Sequence, residues 1–211
     1  MIRILIADDH PIVRSGFKQI LMDYPDIEVG GEAESSQQVI QLLTTSRWDA
    51  VVLDISMPGR GGLETLVEIK RLTPRLPVLI LSMHPESLYG IRALKAGASG
   101  YLLKKSAPDD LVNAIRAVVR GRRFISPLLA EYLASELSGE AGHAKHEMLS
   151  SREYEVFRMI ATGRHLHDIA RELSLSEKTI TTYRARILRK MGFTTNAELI
   201  TYAVKNELLD S

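Results

Sequence analysis

Residues 49–62 read DAVVLDISMPGRGG. Ala50-Val51-Val52-Leu53 is an apolar run without alternation, the pattern of a strand buried on both faces. The run stops on a carboxylate, Asp54. Met57-Pro58-Gly59 and Gly61-Gly62 after it can only form a loop. A charge on the last residue of a fully buried strand is costly unless something there needs it. In an open parallel sheet, ligands gather at the carboxyl ends of the strands. What stands beside Asp54 therefore decides how the rest is read.

Working outward, residues 2–7 form a second apolar run, ending at Asp8-Asp9. Pro11 then opens a helix in which Ile12, Val13, Phe17, Ile20 and Leu21 recur at helical spacing. Residues 27–32 read as a shorter strand. Ser35-Ser36 caps the helix of Val39, Ile40, Leu42 and Leu43. On the other side of Asp54, Leu63, Leu66, Val67, Ile69 and Leu72 mark a helix that stops at Thr73-Pro74. Residues 77–82 are a buried strand ending on Ser82. Leu88, Ile91 and Leu94 mark the next helix, and residues 100–104 a short strand carrying Lys104. Leu111, Val112, Ile115, Val118 and Val119 then form a helix closed at Gly121. Five strand–helix alternations in about 120 residues predict a doubly wound five-stranded parallel sheet with helices on both faces.

The strand ends of such a sheet share one edge, so Asp8, Asp9, Asp54, Ser82 and Lys104 converge. Each alone has an ordinary structural reading as a cap or a solvated side chain; their coincidence on one edge does not. Clustered carboxylates repel unless a cation lies among them. A hard divalent ion satisfies this with one or two carboxylates and several waters. The expected ligands are Asp9, Asp54 and the backbone carbonyl of Ser56, with Asp8 in the outer shell. The ion is Mg²⁺ or Mn²⁺. A carboxylate activated in this way attacks phosphorus and forms an acyl phosphate, with Lys104 and the ion neutralising the transferring group.

Residues 1–120 resemble the receiver domain of bacterial two-component response regulators. The resemblance rests on Ala7-Asp8-Asp9-His10-Pro11, Leu53-Asp54-Ile55-Ser56-Met57-Pro58-Gly59, Leu81-Ser82, and Ala96-Gly97-Ala98-Ser99-Gly100-Tyr101-Leu102-Leu103-Lys104, in order and at the right spacing. It implies a flavodoxin-like fold in which Asp54 accepts phosphate from a sensor histidine kinase. It makes Asp8 and Asp9 the acidic pair, Lys104 the phosphate partner, and Ser82 with Tyr101 the switch pair. Many receivers have a proline after the lysine; Lys105 stands here, so no cis Lys-Pro bond is carried over.

The remainder divides into a linker and a second domain. In residues 122–147, Ser126 and Pro127 start a short helix over residues 128–137. Residues 138–146 have no apolar period and read as a flexible tether. His143 and His146 there lack further ligand candidates nearby. From Leu149 onward, residues too few for another α/β unit carry four helical periods. Ser150 or Ser151 caps the first; residues 167–173 form a short second helix. Leu175-Ser176-Glu177 is a turn, and residues 178–191 form a longer helix. Ile180, Tyr183, Ile187 and Met191 face its core, and Arg184 lies near that side. Lys178, Thr182, Ala185 and Arg189 face out, flanked by Thr181 and Arg186. Gly192 ends it, and Thr195 or Asn196 starts the last helix, with Leu199, Ile200, Ala203 and Leu208. A short helix, a turn and a longer helix with a basic, hydroxyl-bearing face is a helix-turn-helix layout, whose second helix enters the major groove of double-stranded DNA.

This domain resembles the LuxR-type helix-turn-helix of the NarL/FixJ branch, through Leu149-Ser150-Ser151-Arg152-Glu153, Ile169-Ala170, Leu175-Ser176, Thr179-Ile180, Tyr183, Ile187, Lys190-Met191-Gly192 and Glu198-Leu199. The resemblance implies that Thr181, Thr182 and Ala185 read bases and that Lys178, Arg186 and Arg189 meet phosphates. It departs at His165-Leu166-His167-Asp168, where the family often has Ser-Asn-Lys/Arg-Glu. Asn196, Leu199, Tyr202 and Ala203 of the last helix are candidate dimer contacts.

Composition agrees. The chain has 211 residues, no cysteine and a formal net charge of +1. That total conceals residues 178–190, with five basic side chains and no acidic one. Disulfide and thiolate chemistry are excluded. No signal-peptide pattern or membrane-spanning run is evident, so a cytoplasmic protein without a membrane partner is expected. The reading is a phosphorylation-switched transcription regulator and not an enzyme. Residues 1–121 are the receiver, 122–147 the linker and 148–211 the DNA-binding domain. It is expected to dimerise when phosphorylated, and RNA polymerase is a further candidate partner. A metal-dependent aspartyl-phosphate phosphatase would need a second carboxylate where Ser56 stands. A phosphorylation-independent DNA-binding protein would leave the edge cluster unexplained. A quorum-signal sensor would need an apolar ligand pocket at that edge.

Overall fold

The computed structural model describes residues 1–57, 61–106, 108–137, 144–206 and 208–209. The expected loop at Pro58-Gly59 and residues 138–143 of the tether expected over residues 138–146 lie outside them, while Lys145 and His146 at the end of that stretch are in a 3₁₀ turn and not in a tether. The chain divides into two compact units, Met1–Leu137 and Ser138–Ser211.

The first unit alternates β1 (Ile2–Ala7), α1 (Pro11–Met22), β2 (Ile27–Ala33), α2 (Ser36–Thr45), β3 (Ala50–Asp54), α3 (Gly62–Leu72), β4 (Val78–Ser82), α4 (Glu86–Lys95), β5 (Gly100–Leu103) and α5 (Pro108–Val119), and then adds α6 (Pro127–Leu137). All strand pairs are parallel, in the order β2-β1-β3-β4-β5. Every residue of β3 and β4 is buried, which is why both read as unbroken apolar runs. Leaving β1, the chain builds β2 on one side and returns to build β3 on the other. The switch point of the sheet therefore lies between β1 and β3, where such folds open a crevice. Register does the rest. Ala7 pairs with Leu53, Asp54 with Leu81, and Ser82 with Leu103. Asp8, which follows Ala7, is thus level with Asp54, and Lys104 lies one residue beyond the Ser82–Leu103 pair.

Helix α6 belongs to this unit and packs on α4. The linker is therefore half structured. Phe124 forms a parallel bridge to Gly100, and Leu129 is fully buried.

The second unit opens with a 3₁₀ turn (Lys145–Met148), followed by α7 (Ser151–Ala161), α8 (Leu166–Glu172), α9 (Glu177–Met191) and α10 (Asn196–Lys205). Ser150 with Glu153 and Thr195 with Glu198 form complete capping boxes. Ser176 caps α9, and Gly192 ends it in the left-handed conformation. Tyr154, Phe157, Ile180, Ile187, Leu199 and Ala203 make the core. Among the described residues, no helix is long and apolar enough to cross a membrane.

Glu198 accepts the backbone N–H groups of Thr194 and Thr195 at 2.8 and 2.9 Å, and both hydroxyls as well. These donors hold its pKa down at about 2. A depressed carboxylate stabilises the folded state fully above the ordinary glutamate range of about 4.3 and loses that contribution as pH falls toward the folded value. Thermal unfolding from pH 7 to pH 2 is expected to show Glu198→Gln less stable at neutrality and converging on the wild type in acid. Parallel curves for the two proteins would remove the cap from this account.

Candidate functional site

At the carboxyl edge of the sheet, Asp8, Asp54 and Ser82 are buried polar residues in otherwise apolar surroundings. The Lys104 ammonium lies between the carboxylates, 2.7 Å from Asp8 Oδ2 and 2.8 Å from Asp54 Oδ2. Each acidic side chain is also fixed by the backbone. His10 N–H donates to Asp8 Oδ1 at 2.9 Å, and Ser56 N–H donates to Asp54 Oδ1 at 3.0 Å. Gly62 closes the loop after β3. A Cβ there would fall 2.2 Å from the Asp54 carbonyl oxygen, so only glycine lets α3 begin this close to the strand.

Electrostatics follow from this packing. Burial pushes the Asp54 carboxyl above the ordinary aspartate range, and Lys104 offsets only part of that. Burial also works against the Lys104 charge, but Asp54 and Asp8 outweigh it and hold the ammonium above its usual value. Asp54 is a strained anion kept in place by one cation.

Asp8, Asp9, His10 and Asp54 each bring a ligand atom within 4.8 Å of the others. Asp9 Oδ1 is closed off from water and accepts no hydrogen bond; the His10 ring nitrogen lies 2.9 Å away. An oxygen-rich, under-compensated cluster of this kind fits a hard divalent cation.

Behind the acids, Ser82 Oγ accepts His84 N–H at 2.9 Å, and the Tyr101 hydroxyl donates to the His84 carbonyl at 2.8 Å. Tyr101 is fully buried, and that burial raises its pKa well above the ordinary phenol value. The five residues expected at this edge, with Tyr101 beside them, are brought together. Reading the sequence did not single out Arg14 or His84. Arg14 donates to the Asp8 carbonyl at 2.6 Å and pairs with Glu32, fixing the β1–α1 turn. Its only sequence signal is a basic residue three positions after Pro11.

In the second unit, α8, the turn through Ser174–Ser176 and α9 form the expected helix-turn-helix. Ser174 takes a positive φ of 52° in that turn. Lys178, Thr181, Thr182, Ala185, Arg186 and Arg189 are all exposed, whereas Ile180, Ile187, Leu188 and Met191 are buried. Arg184 reaches Asn196 Oδ1 at 2.6 Å. His167 pairs with Glu177 at 2.6 Å, across the start of α9. The dimer candidates need correction. Leu199 and Ala203 are fully buried inside the domain and present no surface to a partner. The Tyr202 hydroxyl meets His146 Nδ1 at 3.0 Å. The exposed apolar side chains of α10 are instead Ile200 and Val204.

Because the folded state raises the Asp54 pKa, its charge costs stability above that pKa, and the cost vanishes once the group is protonated in both states. Asp54→Asn is therefore expected to raise the melting temperature near pH 7, with the gain fading as pH falls through the raised folded-state value and gone below the ordinary aspartate value of about 3.9. An Asn variant less stable than the wild type at pH 7 would show that the Lys104 pairing outweighs burial.

Residues 4–116 match the family described as response regulator receiver domain, and residues 147–203 match bacterial regulatory proteins, luxR family. The chain is 36% identical to response regulator UvrY of Escherichia coli (strain K12), over all of this chain and 97% of that protein. It is 35% identical to response regulator GacA of Pseudomonas aeruginosa, over all of this chain and 99% of that one. Among solved structures, it is similar to RcsB from Salmonella enterica serovar Typhimurium bound to promoter P1flhDC in the presence of phosphomimetic BeF3-. That match has a TM-score of 0.67, 31% identity, and covers 95% of this chain and 97% of that one. A LuxR-family two-component response regulator from Aurantimonas sp. SI85-9A1 matches at a TM-score of 0.60 and 39% identity, over 64% of this chain and 97% of that one. With both family descriptions matched in order along its length, the chain belongs to the response regulators of the NarL/FixJ family, a receiver domain followed by a LuxR-type DNA-binding domain.

Proposed function

We propose that Asp54 is the phosphoacceptor of a two-component relay and that its phosphorylation controls DNA binding by α9. The observation that carries this reading is the Lys104 ammonium clamped between Asp54 and Asp8 at the strand ends. An Asp54 carboxylate oxygen attacks phosphorus on a sensor kinase phosphohistidine. The P–O bond forms as the P–N bond breaks, and the imidazole leaves. Ser56 N–H holds the non-attacking oxygen, and Lys104 turns from the carboxylates to the arriving phosphoryl oxygens. Asp9, Asp54 and the Ser56 carbonyl are the residues that would hold Mg²⁺ or Mn²⁺, with Asp8 behind them. When bound there, the ion supplies positive charge to the transferring group. A hydrolase would need a second acid–base group beside Asp54, and Ser56 occupies that position.

Residues 1–121 act as the receiver, 122–147 as the linker and 148–211 as the DNA-binding domain. Thr181, Thr182 and Ala185 lie where base edges would be read, and Lys178, Arg186 and Arg189 where phosphates would be met. Dimerisation brings two such helices to paired half-sites. The relatives' DNA complexes, including one described as two RcsB dimers bound to two parallel DNAs, support that mode. The exposed Ile200 and Val204 of α10, beside a groove lined by Phe193, Ala197, Thr201 and Tyr202, are the better-placed contacts.

The test is intact mass after incubation with Mg²⁺ and a small phosphoryl donor. One added phosphoryl group is expected, absent in Asp54→Ala and absent with EDTA. No adduct on the wild type, with a donor active on another receiver, would sink the phosphoswitch. For DNA, Arg186→Ala is expected to weaken binding across all sequences and to reduce the slope of log affinity against log salt by about 1. An unchanged slope would place Arg186 outside the interface.

A further inference from the structure

The segment after α5 is tied to β5, which carries Tyr101, and to α4, the helix that follows Ser82 at the end of β4. Phe124 N–H donates to the Ser99 carbonyl at 3.0 Å, and the Phe124 carbonyl accepts Tyr101 N–H at 3.1 Å. One linker residue thus extends the sheet beyond β5, directly at Tyr101. Two residues on, Ser126 caps α6 by accepting Leu129 N–H at 3.0 Å, and the same hydroxyl donates to Glu86, the first residue of α4. Leu129 is fully buried and faces Gly90 in the middle of α4. A Cβ on residue 90 would come within 2.6 Å of the Leu129 side chain. Glycine inside a helix is unfavourable unless a close approach requires it, and Leu129 is that approach.

From these contacts we propose that α6 is a latch, docked on α4 in the unphosphorylated receiver and released when Asp54 is phosphorylated. This rests on the phosphoswitch reading above and assigns its first mechanical output. The route is short. Ser82 Oγ now accepts His84 N–H, and the His84 carbonyl is held by the Tyr101 hydroxyl. A phosphoryl group on Asp54 draws the Ser82 hydroxyl forward as a donor, and His84 N–H loses its acceptor. Residues 83–86 then shift, and Glu86 at their end leaves Ser126. Without that contact α6 is held by a small apolar interface centred on Leu129, with Tyr132 and Leu133 half-buried on the same helix, the kind of interface that opens locally well before the domain unfolds. Release frees the chain from α6 onward, so phosphorylation lengthens the connection to the DNA-binding domain.

The experiment is hydrogen–deuterium exchange on the full-length protein with Mg²⁺, with and without beryllofluoride. Amides of residues 128–137 are expected to exchange at least about tenfold faster with beryllofluoride, together with a change at residues 82–86. A change at 82–86 with α6 still protected overturns the latch alone. No change at either place overturns the latch and the phosphoswitch together. A second variant tests the docking itself. Gly90→Val is expected to raise α6 exchange without beryllofluoride while leaving β1 and β3 protected; protected α6 in that variant overturns the proposal. The chain has no cysteine, so Gly90→Cys with Leu129→Cys offers a clean disulfide. Oxidised, it is expected to keep α6 protected in beryllofluoride, and free exchange of the cross-linked α6 would contradict the latch.

Discussion

The receiver depends on one buried ammonium. Among the described residues, Lys104 is the cation between the two carboxylates at the ends of β1 and β3, at hydrogen-bonding distance from both. In a low-dielectric pocket such a pair gains little net stability, because desolvation consumes most of the attraction. What the arrangement provides is a place where charge is incompletely balanced. Burial works against the Asp54 charge more than Lys104 supports it. Register is the reason the three groups meet, since the shared strand ends leave Asp8, Asp54 and Lys104 no alternative neighbours.

Most of this was legible in the sequence because buried strands announce their ends. A run such as Val51-Val52-Leu53 has one physical explanation, and the polar residue that stops it marks the edge. The strand order, and with it the switch point between β1 and β3, is seen only in the structure. Helix α9 was legible for a similar reason: Lys178, Arg186 and Arg189 fall on one side of a 100° wheel, and its capping serine precedes them. What was not legible is informative. Leu199 and Ala203 read as dimer contacts because an apolar residue on a terminal helix fits a core or an interface equally well. Periodicity does not say which. Burial answers it only after the other three helices are in place.

The linker shows the same limit from the other side. Residues 122–137 have a capped helix in their pattern, and that helix exists. Where it docks is encoded elsewhere, in the missing side chain at Gly90 and in Glu86. A glycine in mid-helix signals a close neighbour without naming it. Likewise, nothing in the sequence singles out His84, yet its two backbone groups join Ser82 to Tyr101.

A sheet of five parallel strands has two open edges, each a template on which another chain can add a strand. On one side, β2 carries a register shift where it pairs with Ile4 and Leu5, next to Gly30 and Gly31, and that irregularity spoils the template. On the other, Phe124 is the described residue whose backbone pairs with β5. Whatever draws the linker away from β5 therefore uncovers hydrogen-bonding backbone on a four-residue strand. Release of α6 leaves Phe124 as the tie that keeps that edge covered. Resistance to strand addition then hangs on two backbone hydrogen bonds, from Phe124 N–H to Ser99 and from Tyr101 N–H to Phe124.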